Sequence, residues 1–278
     1  MLFEADRHSA LADTKWNPAQ VRAAIESLVA DIEHSRLAQG HWPVHPLDHD
    51  EPPPRTGFKS LYYGSAGTLW ALWYLQQQGA AAIKLDPLAG MQQADHDYQD
   101  DPDTGTCVPS YYLGEVGIKL LLWRMNGASA QTANELHAAI QANIPNPTNE
   151  ALWAAPGTMV AALHLWEATG EARWRTLLAE NIEQLWQTWQ PEPEHGCSLW
   201  TQDLYGHVVQ LLGAGHGFAG NVYPLLRGAA LLDPARQDML FARCLETLQA
   251  TAVFEDGAAN WPQGVGTPRP GRTSMLMQ

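Results

Sequence analysis

The sequence predicts an all-α fold: an α/α toroid, in which inner helices form a barrel and outer helices shield it. Three observations predict it. Helices that are apolar nearly all round alternate with helices that carry a single apolar stripe. A punctuation of small residues opens each apolar helix: Gly64-Ser65-Ala66-Gly67, Gly114-Glu115-Val116-Gly117, Ala154-Ala155-Pro156-Gly157 and Gly217-Phe218-Ala219-Gly220. The closing glycines stand at 67, 117, 157 and 220, so the spacings are 50, 40 and 63 residues, an imperfect repeat with insertions between units. The Gly-x-x-Gly motifs are expected to sit together at one end of the ring, and residues 1–278 to form one such domain.

Asn17-Pro18 starts the first helix, with a capping side chain and then proline at the first helical position. Val21, Ile25, Leu28 and Ile32 follow as its stripe, with Arg22, Glu26 and Glu33 off it. Residues 40–59 read as an extended polar segment broken by prolines. Helix 65–77 carries Leu69, Trp70, Leu72, Trp73 and Leu75 and is expected to be buried. Residues 89–106 read as acidic loop or short helix. Helix 115–125 is apolar, 130–143 amphipathic, 157–169 mostly apolar up to Gly170, and 172–190 amphipathic up to Pro191. Residues 197–212 suit a short hairpin. Helix 219–232 is apolar, and Asp233-Pro234 caps a last amphipathic helix to about Val253. The tail from Asn260 is loop-like, turning apolar at Met275-Leu276-Met277.

Hydrophobic residues make up 45% of the chain and charged residues 17%, a globular balance. The net charge of −14 argues against nucleic acid and anionic membrane as partners. No stretch is long and apolar enough to span a membrane. The N-terminus lacks a basic segment followed by an apolar run, so no signal peptide is read. Cys107, Cys197 and Cys244 form no Cys-x-x-Cys or Cys-His pair, so no disulfide framework and no metal site is expected in this chain, and the setting is taken as cytoplasmic.

The stretch Gly213-Ala214-Gly215-His216-Gly217-Phe218-Ala219-Gly220 carries the strongest chemical signal. Its glycines leave the imidazole unshielded, and a helix N-terminus there would offer free N–H groups to a developing anion. A tight loop that merely contains a histidine is the plainer alternative. Other clusters read as structural. His41, His45, Asp48, His49 and Asp50 suit a surface loop better than a metal site, and Asp95 to Asp100 a solvated acidic loop better than a calcium loop. His207 reads as a satisfied structural histidine, and the pairs Trp70–Trp73 and Trp186–Trp189 as core. Glu115 and Asp203 are the two carboxylates a carbohydrate-active α/α toroid would need, though no motif singles them out. A non-catalytic binding protein stays open as well.

On its motifs the chain resembles the lanthionine synthetase C-like family. The matching pieces are Leu61-Tyr62-Tyr63-Gly64-Ser65-Ala66-Gly67, Tyr112-Leu113-Gly114-Glu115-Val116-Gly117, Asn149-Glu150-Ala151-Leu152-Trp153, Gly215-His216-Gly217-Phe218-Ala219-Gly220 and Asn260-Trp261-Pro262-Gln263. The resemblance implies a toroid of helical hairpins and zinc-dependent addition of a thiol to dehydroalanine or dehydrobutyrine, the thiol being a peptide cysteine or glutathione. It gives His216 an acid–base role: protonating the enolate carbon after thiol addition, or stabilising the enolate. Gly215, Gly217, Gly220, Ser110 and Glu115 are the expected substrate-binding positions. Ser110 stands where ring-closing cyclases of the family carry an aspartate, which favours a glutathione-type or unknown substrate.

The family's zinc motifs, Trp-Cys-x-Gly-x-Pro-Gly and Cys-His-Gly, are absent, and four Gly-x-x-Gly units open fewer hairpins than the family's toroid contains. The chain therefore resembles an amino-terminal portion of a longer protein. It is expected to be inactive alone and prone to self-association through unpaired inner helices, with zinc held only by a full-length member.

Overall fold

The computed structural model describes residues 12–45, 56–255 and 257–266. Asp48, His49, Asp50 and the apolar Met275-Leu276-Met277 lie outside them. The chain divides into two compact units, Ala12–Ala139 and the part from Ile140 onward, each taken by itself below.

The first unit begins with α1 (Pro18–Ser35), whose Asn17 cap accepts the amides of Ala19 and Gln20. The stripe is shifted from expectation: Leu28 is exposed and Val29 is the buried residue. Three helices form the core: α2 (Ser65–Gln77), α3 (Pro87–Asp100) and α4 (Glu115–Met125). The inner helices α2 and α4 touch, and α3 packs against both. Leu69, Met91, Tyr98, Ile118 and Leu121 meet there.

Helix α3 corrects the reading of residues 89–106 as acidic loop or short helix. Asp86 caps it through the amides of Leu88 and Ala89, and Pro87 occupies the first turn. Met91, Ala94 and Tyr98 then fall on one buried face, beneath a run whose acidic content masked the periodicity. The acidic residues are not simply solvated either. Asp97 binds His41 at 2.9 Å, and Asp95 lies 3.3 Å from the Lys119 ammonium. His41, expected in a surface loop, is fully buried, its Nδ1 at 2.7 Å from Ser65 Oγ. Helix α2 is not buried all round: Ser65, Ala66, Leu69 and Leu72 are inside, while Tyr74 is exposed. Trp70 and Trp73 stack at 4.9 Å along it.

Helix α5 (Ala130–Asn143) contains the boundary between the units. The second unit continues with α6 (Ala155–Thr169) and α7 (Ala172–Thr188), which pack together. Gly170, at φ 68°, ends α6 in the left-handed region. Two hairpins follow. β1 (Gln190–Glu192) pairs with β2 (Cys197–Leu199), and β3 (Gln202–Leu204) with β4 (His207–Leu211), both antiparallel. His207 is exposed on β4 rather than satisfied inside.

Helix α8 (Phe218–Arg227) packs on α6. It stops short of the expected residue 232, because Gly228 follows and the chain tightens to a 3-10 turn at Ala229–Leu231. It is two-faced, with Phe218, Val222 and Leu225 buried and Tyr223 and Leu226 exposed. α9 (Pro234–Thr251) packs on α8 and β2. β5 (Val253–Glu255) pairs with β6 (Ala258–Asn260), and β7 (Gly264–Val265) adds to β4, so the tail is less irregular than expected. Strands of two to five residues are thus a minor addition to a mostly helical chain. The inner helices begin at Ser65, Glu115, Ala155 and Phe218, at the predicted punctuation.

Candidate functional site

The glycine punctuation has one geometry at the starts of α2, α4 and α8. A Cβ on Gly67 would sit 2.3 Å from the Leu61 carbonyl oxygen, on Gly117 2.0 Å from that of Tyr111, and on Gly220 2.1 Å from that of Ala214. Each glycine meets the carbonyl six residues earlier, a contact that no side chain tolerates. The first helical amides then bond back to the same loop. Ser65 and Ala66 donate to Phe58 and Lys59, Glu115 and Val116 to Val108 and Ser110, and Ala219 and Gly220 to Leu212 and Gly213. These amides are therefore not free N–H groups waiting for an anion, which corrects the reading of the α8 N-terminus. The glycines fold the loop onto the helix end and satisfy it internally.

At α8 this fold-back places His216 one residue before the Gly217 cap. The His216 side chain is 36% exposed, and its Nδ1 lies 2.8 Å from Glu150 Oε2. Glu150 is fully buried. Its carboxylate also accepts the amides of Leu152 at 3.1 Å and Trp153 at 2.6 Å. The loop around Glu150 is fixed from several sides. Asn149 takes φ 46°, a left-handed conformation asparagine tolerates, and its side chain donates to Thr201 O. Asn221 of α8 donates to Asn149 O at 2.7 Å, and Leu152 N–H donates to Gly215 O at 3.1 Å. Gly215 itself has ordinary clearance, with Leu152 Cδ1 at 3.4 Å from a built Cβ.

The hairpin between β3 and β4 completes the cluster. Tyr205 and Gly206 take φ 52° and 74°, the pair of positive values of a type I′ turn. The Tyr205 ring meets the His216 ring edge-on at 6.2 Å and the Trp153 ring at 6.1 Å. The Trp153 indole N–H donates to the Tyr205 hydroxyl at 2.9 Å.

A carboxylate that accepts from Nδ1 fixes the imidazole tautomer. Nδ1 carries the hydrogen, and Nε2 carries the lone pair when the ring is neutral. If Nε2 takes a proton, the same carboxylate faces the imidazolium. The pair can therefore accept and return one proton.

Of the expected substrate positions, Gly215, Gly217 and Gly220 belong to this cluster. Ser110 and Glu115 belong to the Ala12–Ala139 unit. There Ser110 is buried, its hydroxyl accepting Leu113 N–H at 2.9 Å. Burial raises the Glu115 carboxyl above its ordinary range, against the pull of Lys119. Burial opposes the charge on Lys119 too, but Asp95 and Glu135 outweigh it and raise that ammonium. Asp203 is exposed on β3, its amide bonded to Pro147 O. Sequence reasoning missed Glu150 and Tyr205 as site residues. A glutamate followed by Ala151-Leu152-Trp153, ahead of an apolar helix, was a legible sign of a buried carboxylate; nothing in the sequence placed Tyr205 over His216.

The lanthionine synthetase C-like protein family matches residues 57–276. The chain belongs to this family. Its mostly helical architecture is that of the family's α/α toroid class. No individual curated protein matches it.

Family membership implies zinc. Burial raises all three thiols, Cys244 to about 11. Among the described residues, the group placed to share a cation is Glu192, Glu194 and His195, with ligand atoms within 4.8 Å of one another. It contains no cysteine and lies on the β1–β2 hairpin. This donor set does not fit the family's cysteine–cysteine–histidine zinc site.

Proposed function

We propose that this lanthionine synthetase C-like chain carries the acid–base part of a thiol addition to dehydroalanine or dehydrobutyrine, with glutathione or a peptide cysteine as the thiol. The observation that supports this reading is the buried Glu150 carboxylate on His216 Nδ1. In the proposed step, His216 Nε2 takes the thiol proton as sulfur bonds to the acceptor's β-carbon. The π pair moves to the enolate, and the imidazolium returns the proton to the α-carbon. No net proton is lost or gained. Glu150 holds the ring's orientation throughout. Such groups contribute about 10²–10⁴-fold in rate. In family members that hold it, zinc would supply thiolate at neutral pH. Turnover by this chain is accordingly expected to be slow or absent, so binding is measured beside it.

The test combines NMR of the His216 ring with mass analysis of a dehydroalanine peptide incubated with glutathione, with and without added zinc. The peptide should shift the His216 signals, and any adduct formation above the solution rate should vanish in His216→Asn. Unmoved His216 signals, or adduct formation above the solution rate that persists in His216→Asn, would refute the proposal.

A further inference from the structure

Tyr205 is an odd choice for its position. The first residue of a two-residue type I′ hairpin is normally Asn, Asp or Gly, because its φ is positive. A tyrosine at φ 52° bears backbone strain. Burial does not compensate, since Tyr205 is 68% exposed. What the strained turn achieves is placement. The hydroxyl is held by the Trp153 indole at 2.9 Å, and the Tyr205 and His216 rings meet edge to face with centroids 6.2 Å apart. Trp153 in turn gives its backbone amide to Glu150, the residue that holds His216. Tyr205, Trp153, Glu150 and His216 thus form a closed circuit of contacts with one exposed aromatic ring beside a part-exposed imidazole.

We propose that Tyr205 is a substrate-positioning residue whose ring, fixed by Trp153, is the wall on which a planar, unsaturated amide packs beside His216. A conjugated amide is flat and weakly polar over its faces, the shape an aromatic ring recognises. The inference rests on the functional reading above for the identity of that amide, a dehydroamino acid. Position and ligand chemistry rest on the ring's own geometry.

The experiment separates placement from scaffolding. Tyr205→Asn supplies the residue preferred by a type I′ turn and removes the ring. It should raise the denaturation midpoint and weaken binding of a dehydroalanine peptide, read on His216 by NMR, by about three- to tenfold, the range of an aromatic contact. Tyr205→Phe keeps the ring and loses only the Trp153 hydrogen bond, so it should bind closer to wild type. A Tyr205→Asn protein that is less stable than wild type, or that binds the peptide equally well, would overturn the proposal. If wild type ignores the dehydroalanine peptide, the functional reading fails, and benzamide serves as a planar-amide probe. Shifts at His216 that are lost in Tyr205→Asn would then sustain the wall. No response to benzamide would remove it.

Discussion

Replacing Gly220 by alanine should destabilise the protein although the residue is helical. Ordinarily a glycine-to-alanine change inside a helix gains about 1 kcal/mol. Here the new Cβ would lie 2.1 Å from the Ala214 carbonyl oxygen and 3.0 Å from Ala151 Cβ. That is more than about 1 Å inside an ordinary carbon–oxygen contact. Neither neighbour is the free end of a flexible side chain, so the loop must lift off the helix. Lifting it weakens the Ala219–Leu212 and Gly220–Gly213 backbone bonds, worth about 1 kcal/mol each. Overpacking adds about 1–3 kcal/mol. After subtracting the helical gain, the net loss is about 3 kcal/mol. Urea denaturation followed by tryptophan fluorescence measures it. Gly170→Ala is the internal control. It lies in the same unit at φ 68° with nothing within 4 Å, so it should lose only about 1–2 kcal/mol from its left-handed backbone. A Gly220→Ala midpoint no lower than that of Gly170→Ala would refute the close-approach argument.

Three further outcomes follow from the geometry. Glu150→Ala leaves the Leu152 and Trp153 amides without their carboxylate and should lower stability by about 2–4 kcal/mol in the same denaturation assay, with Glu150→Gln intermediate. Glu115 has a raised carboxyl pKa in the fold, so the folded state binds its proton more tightly. Stability is therefore lost as pH rises above the ordinary value of 4.5, and Glu115→Gln should stabilise at pH 7 with a difference that closes under acid, read by melting at a series of pH values. Native thiol labelling at pH 8 should proceed first at the exposed Cys107, more slowly at the half-buried Cys244, whose thiol is pushed up to about 11, and at the buried Cys197 only after unfolding, as mass mapping of the label would show.

The helical periodicity and the glycine punctuation made most of the fold legible. Each inner helix begins within two residues of its predicted start, and at α2, α4 and α8 the motif's glycine is packed against the preceding loop at that start. Helix α3 was obscured by composition, since three aspartates in its last six residues resemble a solvated loop while Met91, Ala94 and Tyr98 do the packing. His41 could not be placed from sequence, because its partners Ser65 and Asp97 are distant in the chain. The candidate site was half legible. His216 announced itself by its glycines, but its chemistry depends on Glu150, 66 residues earlier. Tyr205 required the hairpin register before its relation to His216 existed at all.

The fold-back of the loop onto its own helix start at α2, α4 and α8 makes those units self-contained along the chain. The contacts that define a unit span six or seven residues, so lengthening the stretch between units leaves them intact. The longest interval, 63 residues, shows the effect: it holds both hairpins, β1–β2 and β3–β4, before the last Gly-x-x-Gly. A scaffold of this kind can exchange what stands over His216 by rewriting an intervening hairpin, without retuning the helices that hold the histidine. On the proposed function, exchanging the turn residues Tyr205 and Gly206 alone, which leaves the Leu211 carbonyl against Gly217 in place, should alter acceptor preference while keeping the helical frame.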